Sequence, residues 1–335
     1  MGKYANHTIS THEDALIPVG VPYPIRPEAR KPPPSLFTTS LRDELVGDLL
    51  SAVVTTLGVA PFMSVIDKAI VQNANKSHTI SSSVRGSLLT ICRDPIGFVK
   101  SPMFLMMWGV YASTYATANC IRTICERKED FSKKEKTLVF AGTTAVNSST
   151  SLVKDKMYAT MFAAASATPR PSIPMLSYGC WMARDCMVIG SSFVAPRYVT
   201  SGLSDSLGIG EGAAANVAQF FCPVVTQLFA GPVQLLGLDL FNRPKESIVS
   251  RANFVKSQFV PVVAARIARI APAYGIGGIG NTGLRNRWRQ MLITRGVETA
   301  AVGNKAGARE LVDRVVKEKK RKVKTGQIRE GKQPW

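Results

Sequence analysis

The chain has 335 residues, a formal net charge of +19 and a hydrophobic content of 45%. That apolar content excludes an intrinsically disordered chain, and six cysteines in a chain of this length exclude a secreted disulfide scaffold. Three histidines nearly exclude catalysis that depends on a histidine. The mean hydropathy of +0.06 lies between soluble and membrane proteins, so the distribution of apolar residues along the chain decides the class.

Residues 1–44 are predicted to form a polar extension outside the folded core. Proline is frequent there and favours extended, polyproline-like backbone over helix. The stretch resembles neither a secretory signal peptide nor an amphipathic presequence. Its prolines are Pro18, Pro22, Pro24, Pro27, Pro32, Pro33 and Pro34.

Residues 45–284 are predicted to form an all-α membrane domain with six transmembrane helices. The helical segments are 48–71, 102–124, 137–165, 174–200, 211–240 and 253–281. Each is long enough to cross a hydrocarbon core, which takes about 20 residues, and their many small residues favour close helix packing. Polar links join the segments in pairs, which predicts three two-helix repeats at about 45–126, 136–202 and 210–284. A soluble bundle with unusually apolar helices is the alternative.

Residues 285–335 are predicted to form a basic C-terminal extension. Residues 283–335 hold 15 basic and 5 acidic residues, a surplus of +10. A basic cluster beside a membrane domain is attracted to anionic lipid headgroups, and a solvated helix is the simpler interpretation. Nucleic-acid binding is disfavoured, because Trp288 and Trp335 are the only aromatic residues there and no zinc or helix-turn-helix signature accompanies them.

Acidic residues recur near the end of each odd-numbered segment. Asp67, Asp155 and Asp239 follow one another at intervals of 88 and 84 residues. An ionisable side chain within a membrane span is costly unless it finds a partner or faces a cavity. Each of these aspartates has a cation close by in the sequence. Those cations include Lys68, Lys156 and Arg243, with Lys154 on the other side of Asp155.

Four further charges lie well inside the fourth and sixth segments, and they are the candidate substrate-binding residues: Arg184, Asp185, Arg266 and Arg269. Facing an aqueous cavity, the arginines would offer donors to a carboxylate or phosphate, and Asp185 would accept an ammonium group. Arg266 and Arg269 are three residues apart and therefore share one helix face. Internal pairing, or snorkelling to a membrane interface, is the alternative interpretation.

The arrangement resembles the mitochondrial carrier family. The resemblance rests on three helix pairs, on Pro61 and Pro232, which precede two of the recurring aspartates, and on the Arg184–Asp185 dipeptide. It implies a multi-pass protein of the mitochondrial inner membrane that exchanges a small anionic or zwitterionic metabolite by alternating access. It also implies a gate of salt bridges, for which the candidates are Asp67, Lys68, Asp155, Lys156, Asp239 and Arg243.

The functional alternative to transport is a carrier-like accessory or structural subunit of a larger mitochondrial membrane complex. A third possibility is a soluble helical bundle with a nucleic-acid- or lipid-binding tail. An enzyme is not expected, because no nucleophile–base pair or metal-ligand cluster is visible, and no cofactor is predicted. The pattern Gly275-x-Gly277-x-x-Gly280 follows no strand, so close helix packing explains it better than dinucleotide binding.

Overall fold

The computed structural model describes residues 39–127, 133–162, 172–193, 195–208 and 210–303. These residues form helices and connecting turns, with no strand among them, so the predicted all-α class is confirmed. Most of the predicted N-terminal extension and residues 304–335 of the basic extension lie outside the described residues. The first helix begins at Leu41, which is inside the stretch predicted to be an extension.

The helices follow the six predicted segments closely. In chain order the elements are α1 (Leu41–Ala74), α2 (Ile80–Arg93), α3 (Pro95–Lys100), α4 (Pro102–Arg127), α5 (Lys133–Met161), α6 (Met175–Phe193), α7 (Ala195–Leu207), α8 (Glu211–Asn242), α9 (Ile248–Ala268), α10 (Ile270–Pro272), a π-helical turn (Ala273–Ile279) and α11 (Gly280–Gly303). Segments one to three fall on α1, α4 and α5, segment four on α6 with α7, segment five on α8, and segment six on α9 through α11.

Side-chain caps set where the shorter elements begin. The Thr79 hydroxyl accepts the Ser82 amide at 3.3 Å at the start of α2, and the Asp94 carboxylate accepts the Gly97 amide at 2.8 Å at the start of α3. These oxygens satisfy amides that have no partner within the first helical turn. The turn before α2 passes through Lys76 in the left-handed region, with φ of 60°. Two short helices therefore separate α1 from α4.

The glycine pattern near residue 277 lies at the point where the last helical segment changes its pitch. Pro272 cannot donate a backbone hydrogen bond, and the π-helical turn follows directly after it. This turn packs closely against α1, since a Cβ added at Gly58 would lie 3.1 Å from the side chain of Ile276. The pattern thus belongs to a helix–helix contact and follows a helix instead of a strand.

The long helices pack in a closed ring. α1 packs on α4, α4 on α5, α5 on α6, α6 on α8 and α8 on α9, and both α9 and α11 return to α1. Neighbouring helices run antiparallel where contacts at both ends fix their direction. For α4 and α5, the Tyr158 hydroxyl donates to the Met103 carbonyl at 2.8 Å, and Thr114 lies 3.3 Å from Asn147.

The distribution of side chains differs from that in a soluble protein. Large apolar residues are exposed on the outer faces of α1, α4, α5, α6, α8 and α9, for example Phe62, Met187 and Phe229. The interior combines an apolar core with many buried polar and charged residues. Extended exposed apolar surface on a monomer marks contact with a membrane or another protein.

Within the described residues, three helical stretches are long and apolar enough to cross a membrane, as judged by length and composition: Leu41–Ala74, Ala213–Asn242 and Ile248–Gly296. The described parts of α4, α5 and α6 fall below that criterion because they carry more polar and charged residues, such as the pair Lys154 and Asp155. The chain therefore has the features of a multi-pass membrane protein, with three spans supported by composition.

Candidate functional site

Charged side chains from four parts of the ring meet in its interior. We call this cluster the central network, and it comprises Asp67 of α1, Lys154 and Asp155 of α5, Arg184 and Asp185 of α6, and Arg269 at the junction of α9 and α10.

Lys154 connects α1 and α5 within this network. Its ammonium nitrogen lies 2.7 Å from Asp67 Oδ2 and 2.7 Å from Asp155 Oδ1. Arg269 donates to the other oxygen of Asp67, and its Nη2 lies 3.5 Å from the Tyr111 hydroxyl. Asp67 is 1% exposed, and both of its carboxylate oxygens are engaged. One buried carboxylate thereby holds three elements of the ring together.

Arg184 extends the network to α6. Its Nη2 donates to Asp155 Oδ2 at 2.6 Å and to Asp185 Oδ1 at 2.8 Å, and its Nε also donates to Asp185 Oδ1, at 3.0 Å. Asp185 Oδ2 is buried and has no hydrogen-bond partner among the described residues. Leaving a buried acceptor unpaired costs free energy, so Asp185 has binding capacity that the protein itself does not use.

Arg266 lies beside the network but is bound by neutral groups. Its Nε donates to Gln227 Oε1 at 2.8 Å, and its Nη1 donates to Gln234 Oε1. Within the part of the chain that the structure describes, no carboxylate forms a salt bridge with it. Arg184 and Arg269 are close enough to repel its charge, and Asp67 and Asp185 are close enough to attract it. We call Arg266 and these two glutamines the glutamine clamp.

The packing of α6 against α8 places Asp185 and the glutamine clamp at one level of the bundle. A Cβ added at Gly237 of α8 would lie 2.7 Å from Nε1 of Trp181 on α6. Arg184 follows Trp181 by three residues on α6 and is close enough to Arg266 to repel its charge, and Arg266 is itself held by Gln234, three residues before Gly237 on α8. Asp185 follows Arg184 directly.

The charges of this region do not sum to zero. The central network has three carboxylates and three cations, all engaged in salt bridges, and Arg266 adds one further positive charge at 6% exposure. A buried guanidinium with neutral partners alone is far from its preferred environment, which is a carboxylate or phosphate in bidentate geometry. The site thus has one cation in excess.

A second buried cluster lies nearer the start of α1, and we call it the terminal network: Asp48, Asn119, Thr123, Asn281 and Arg285. Arg285 Nε donates to Asp48 Oδ1 at 2.7 Å. Asn119 and Asn281 exchange amide hydrogen bonds, both at 2.9 Å. Arg285, predicted to begin the basic extension, is instead buried in the bundle.

The third recurring aspartate closes the turn between α8 and α9. Asp239 is buried, accepts from Arg243 Nε at 2.6 Å and accepts from Arg251 Nη1 at 2.6 Å. Arg251 also donates to the Arg243 carbonyl at 2.7 Å. This cluster lies apart from the central network and holds the hairpin in place.

The structure distributes the predicted site residues unevenly. Arg184, Asp185 and Arg269 meet in the central network with Asp67 and Asp155, and Arg266 lies next to them. Lys68 and Lys156, predicted as gate cations, are placed differently: the Lys68 ammonium lies 6.0 Å from the centre of the Phe162 ring, and Lys156 is exposed. The cations that bind Asp67 are Lys154 and Arg269, and those that bind Asp155 are Lys154 and Arg184.

Sequence reasoning did not select the glutamines that hold Arg266. Gln227 and Gln234 are seven residues apart, and this spacing places two side chains on the same helix face. Two amides at that spacing within the apolar second half of α8 are the available signal. Arg251 and Asp48 were also missed, because each pairs with a residue far away along the chain or across a turn.

Comparison with protein families adds a decisive match. Residues 51–289 match the model of a family described as "probable citrulline exporter". The chain belongs to this family. The matched region begins within α1, ends within α11, and includes the central network and the glutamine clamp. No curated protein and no solved structure matches the chain.

Membership of the citrulline exporter family corrects the resemblance to mitochondrial carriers, which is wrong. The resemblance rests on three helix pairs, on two prolines and on the Arg184–Asp185 dipeptide, and these features occur here in a member of a different family. Asp67 pairs with cations of α5 and of the α9–α10 junction, and the predicted gate cation Lys68 is not among them. The mitochondrial inner-membrane location was implied by that resemblance alone, so it no longer has support. The multi-pass membrane character does not depend on the resemblance and is retained.

Proposed function

We propose that the protein exports a small zwitterionic amino acid, with citrulline as the leading candidate, across a membrane. The observation that carries this proposal is the match of residues 51–289 to the family described as "probable citrulline exporter". A citrulline molecule has an α-carboxylate, an α-ammonium group and a neutral ureido group. A polar, charged interior surrounded by apolar outer faces suits the passage of such a solute through lipid.

All six long helical elements are proposed to span the membrane as one unit, roughly residues 45–284 together with the part of α11 that carries Arg285. The apolar outer faces of α4, α5 and α6 support this proposal, because exposed side chains such as Leu105, Met157 and Met187 are favourable against lipid. An even number of spans would place both ends of the domain on the same side.

Movement of the solute is proposed to follow alternating access. The central network joins α1, α5, α6 and the α9–α10 junction, and the terminal network joins α1, α4 and α11. Separating the helices at one network while the other stays closed would open the interior to one side at a time. Asp67, Asp155, Lys154, Arg184 and Arg269 would then form one gate, and Asp48 with Arg285 the other.

The test is transport by the purified full-length protein in liposomes. Vesicles loaded with labelled citrulline are expected to release it faster than protein-free vesicles, and unlabelled citrulline outside should accelerate the exchange. Ornithine, arginine and glutamate serve as the selectivity panel. Folding of the reconstituted protein is checked by circular dichroism, so that absence of citrulline movement with helical protein present would refute the proposal.

A further inference from the structure

Two groups at one level of the bundle have unused binding capacity of opposite charge. Arg266 carries a positive charge and has two glutamine oxygens as its partners, and Asp185 has a buried carboxylate oxygen with no partner in the described part of the chain. Asp185 is 9% exposed and Arg266 is 6% exposed. Both therefore lie where an unmatched charge is expensive.

We propose that Arg266 and Asp185 form the subsite for the α-amino-acid group of the transported solute. The ligand carboxylate binds the Arg266 guanidinium, and the ligand ammonium group donates to Asp185 Oδ2. This inference rests on the proposed transport function and specifies which end of the solute the site binds.

Arg266 is suited to a carboxylate that enters and leaves. The five N–H donors of a guanidinium can hold a carboxylate in bidentate geometry, and the neutral oxygens of Gln227 and Gln234 bind it more weakly than a carboxylate does. A resident aspartate or glutamate would hold the arginine permanently. The glutamines keep the guanidinium oriented while leaving its charge unmatched.

The local charge balance favours an anionic group at the same place. Arg184 and Arg269 both repel Arg266, although each is itself engaged by aspartates of the central network. A carboxylate bound at Arg266 neutralises the one cation of the cluster that lacks a carboxylate partner among the described residues. The ammonium group of the same zwitterionic ligand then faces Asp185, whose second oxygen has no hydrogen-bond partner in the described part of the chain.

The backbone of α8 is shaped to admit the Arg266 side chain between the two glutamines. Gly231 lies four residues after Gln227 and three residues before Gln234, on the same helix face. A Cβ added there would lie 3.0 Å from Val263 and 3.8 Å from Arg266 Cδ. A side chain at residue 231 would therefore press α9 away and shift the guanidinium.

The experiment measures ligand-dependent thermal stabilisation of the full chain in detergent, with three probes. The probes are citrulline, its analogue without the α-amino group and its analogue without the carboxylate. Wild-type protein is expected to bind citrulline tightest. The variant Arg266→Gln should weaken binding of both carboxylate-bearing probes by roughly tenfold or more. Asp185→Asn should abolish the preference for citrulline over the analogue without the amino group.

A second variant addresses the possibility that removing Arg266 prevents folding. Gln234→Glu supplies Arg266 with an internal carboxylate, so the protein should keep its stability while its affinity for citrulline falls by a similar factor. The matched controls are Arg289→Gln and Glu126→Gln, which remove a pair 2.8 Å apart at another part of the bundle. Both controls are expected to bind citrulline like the wild type.

The outcomes separate this inference from the transport proposal. Wild-type affinity in folded Gln234→Glu and Arg266→Gln proteins would overturn the subsite even if citrulline is transported. Conversely, the predicted binding pattern without any transport would support the subsite and refute export. A wild-type protein stabilised by none of the three probes would overturn the subsite directly.

Discussion

Asp48 and Asp67, both buried on α1, pair with Arg285 and Arg269 of the helical segment that packs along it. The two aspartates are 19 residues apart, which corresponds to roughly 28 Å along an α-helix. This separation is close to the thickness of a hydrocarbon core, about 30 Å. The contact of α1 with α11 and its contact with the α9–α10 junction therefore lie about one membrane thickness apart.

Asp67 should be the residue on which the stability of the bundle depends most strongly. In Asp67→Asn, Lys154 and Arg269 each lose a carboxylate while remaining buried, and breaking a buried pair in this way costs about 3–5 kcal/mol. Thermal unfolding in detergent measures the loss. Asp43→Asn, an exposed residue of the same helix, is the control and should change stability by less than about 0.5 kcal/mol. Equal effects of the two variants would contradict this prediction.

Arg285 should behave as part of the bundle and not as part of a basic tail. Asp48→Asn and Arg285→Gln are each expected to destabilise the protein, and the double variant should reveal a coupling energy of about 0.5–3 kcal/mol. Arg287 is exposed on the same helix, so Arg287→Gln should be nearly neutral. Additive effects of the two network substitutions would show that Asp48 and Arg285 do not interact.

Two glycines should respond in opposite ways to the same substitution. In Gly237→Ala the new methyl group would lie 2.7 Å from buried Trp181, and such overpacking costs about 1–3 kcal/mol. Gly179 has nothing within 4 Å of an added Cβ, so Gly179→Ala should stabilise α6 by about 0.5–1 kcal/mol through its higher helix propensity. Melting temperatures of the two variants test the α6–α8 contact, and a neutral Gly237→Ala would count against it.

The position of α6 in the membrane can be tested with cysteines that the chain already has. Cys92 on α2 and Cys186 on α6 are both exposed on the protein surface. If α6 spans the membrane, lipid covers Cys186, and a water-soluble maleimide should label Cys92 much faster. Detergent-denatured protein, in which both thiols react, is the control. Equal labelling rates in intact membranes would mean that α6 does not cross the hydrocarbon core.

The helices were predictable from the sequence, whereas the partners within the networks were not. Apolar segments of suitable length identified all six long elements, because helix formation is largely a local property. The cations of Asp67 come from residues 87 and 202 positions further along the chain. The packing of the whole bundle determines which helices become neighbours. The sequence around Asp67 therefore does not indicate which cations will pair with it.

Arg285 stands close to a run of basic residues, a pattern that predicts a place in the C-terminal extension, but its side chain is buried in the bundle. Its partner Asp48 is 237 residues away, at the other end of the domain. Gln227 and Gln234 are not predictable for a different reason, because a neutral amide indicates a binding role only once a buried arginine is known to face it.

The closed ring of helices has a consequence for the connectivity of the chain. The beginning of α1 and the middle of α11 are neighbours, since the Trp288 indole donates to the Asp43 carbonyl at 2.9 Å. A circularly permuted chain that starts at α5 and continues from α11 through a linker into α1 would retain every contact between helices around the ring. Every long helix of the bundle has a neighbour on each side, so the packing of the helices does not determine which of them comes first in the chain.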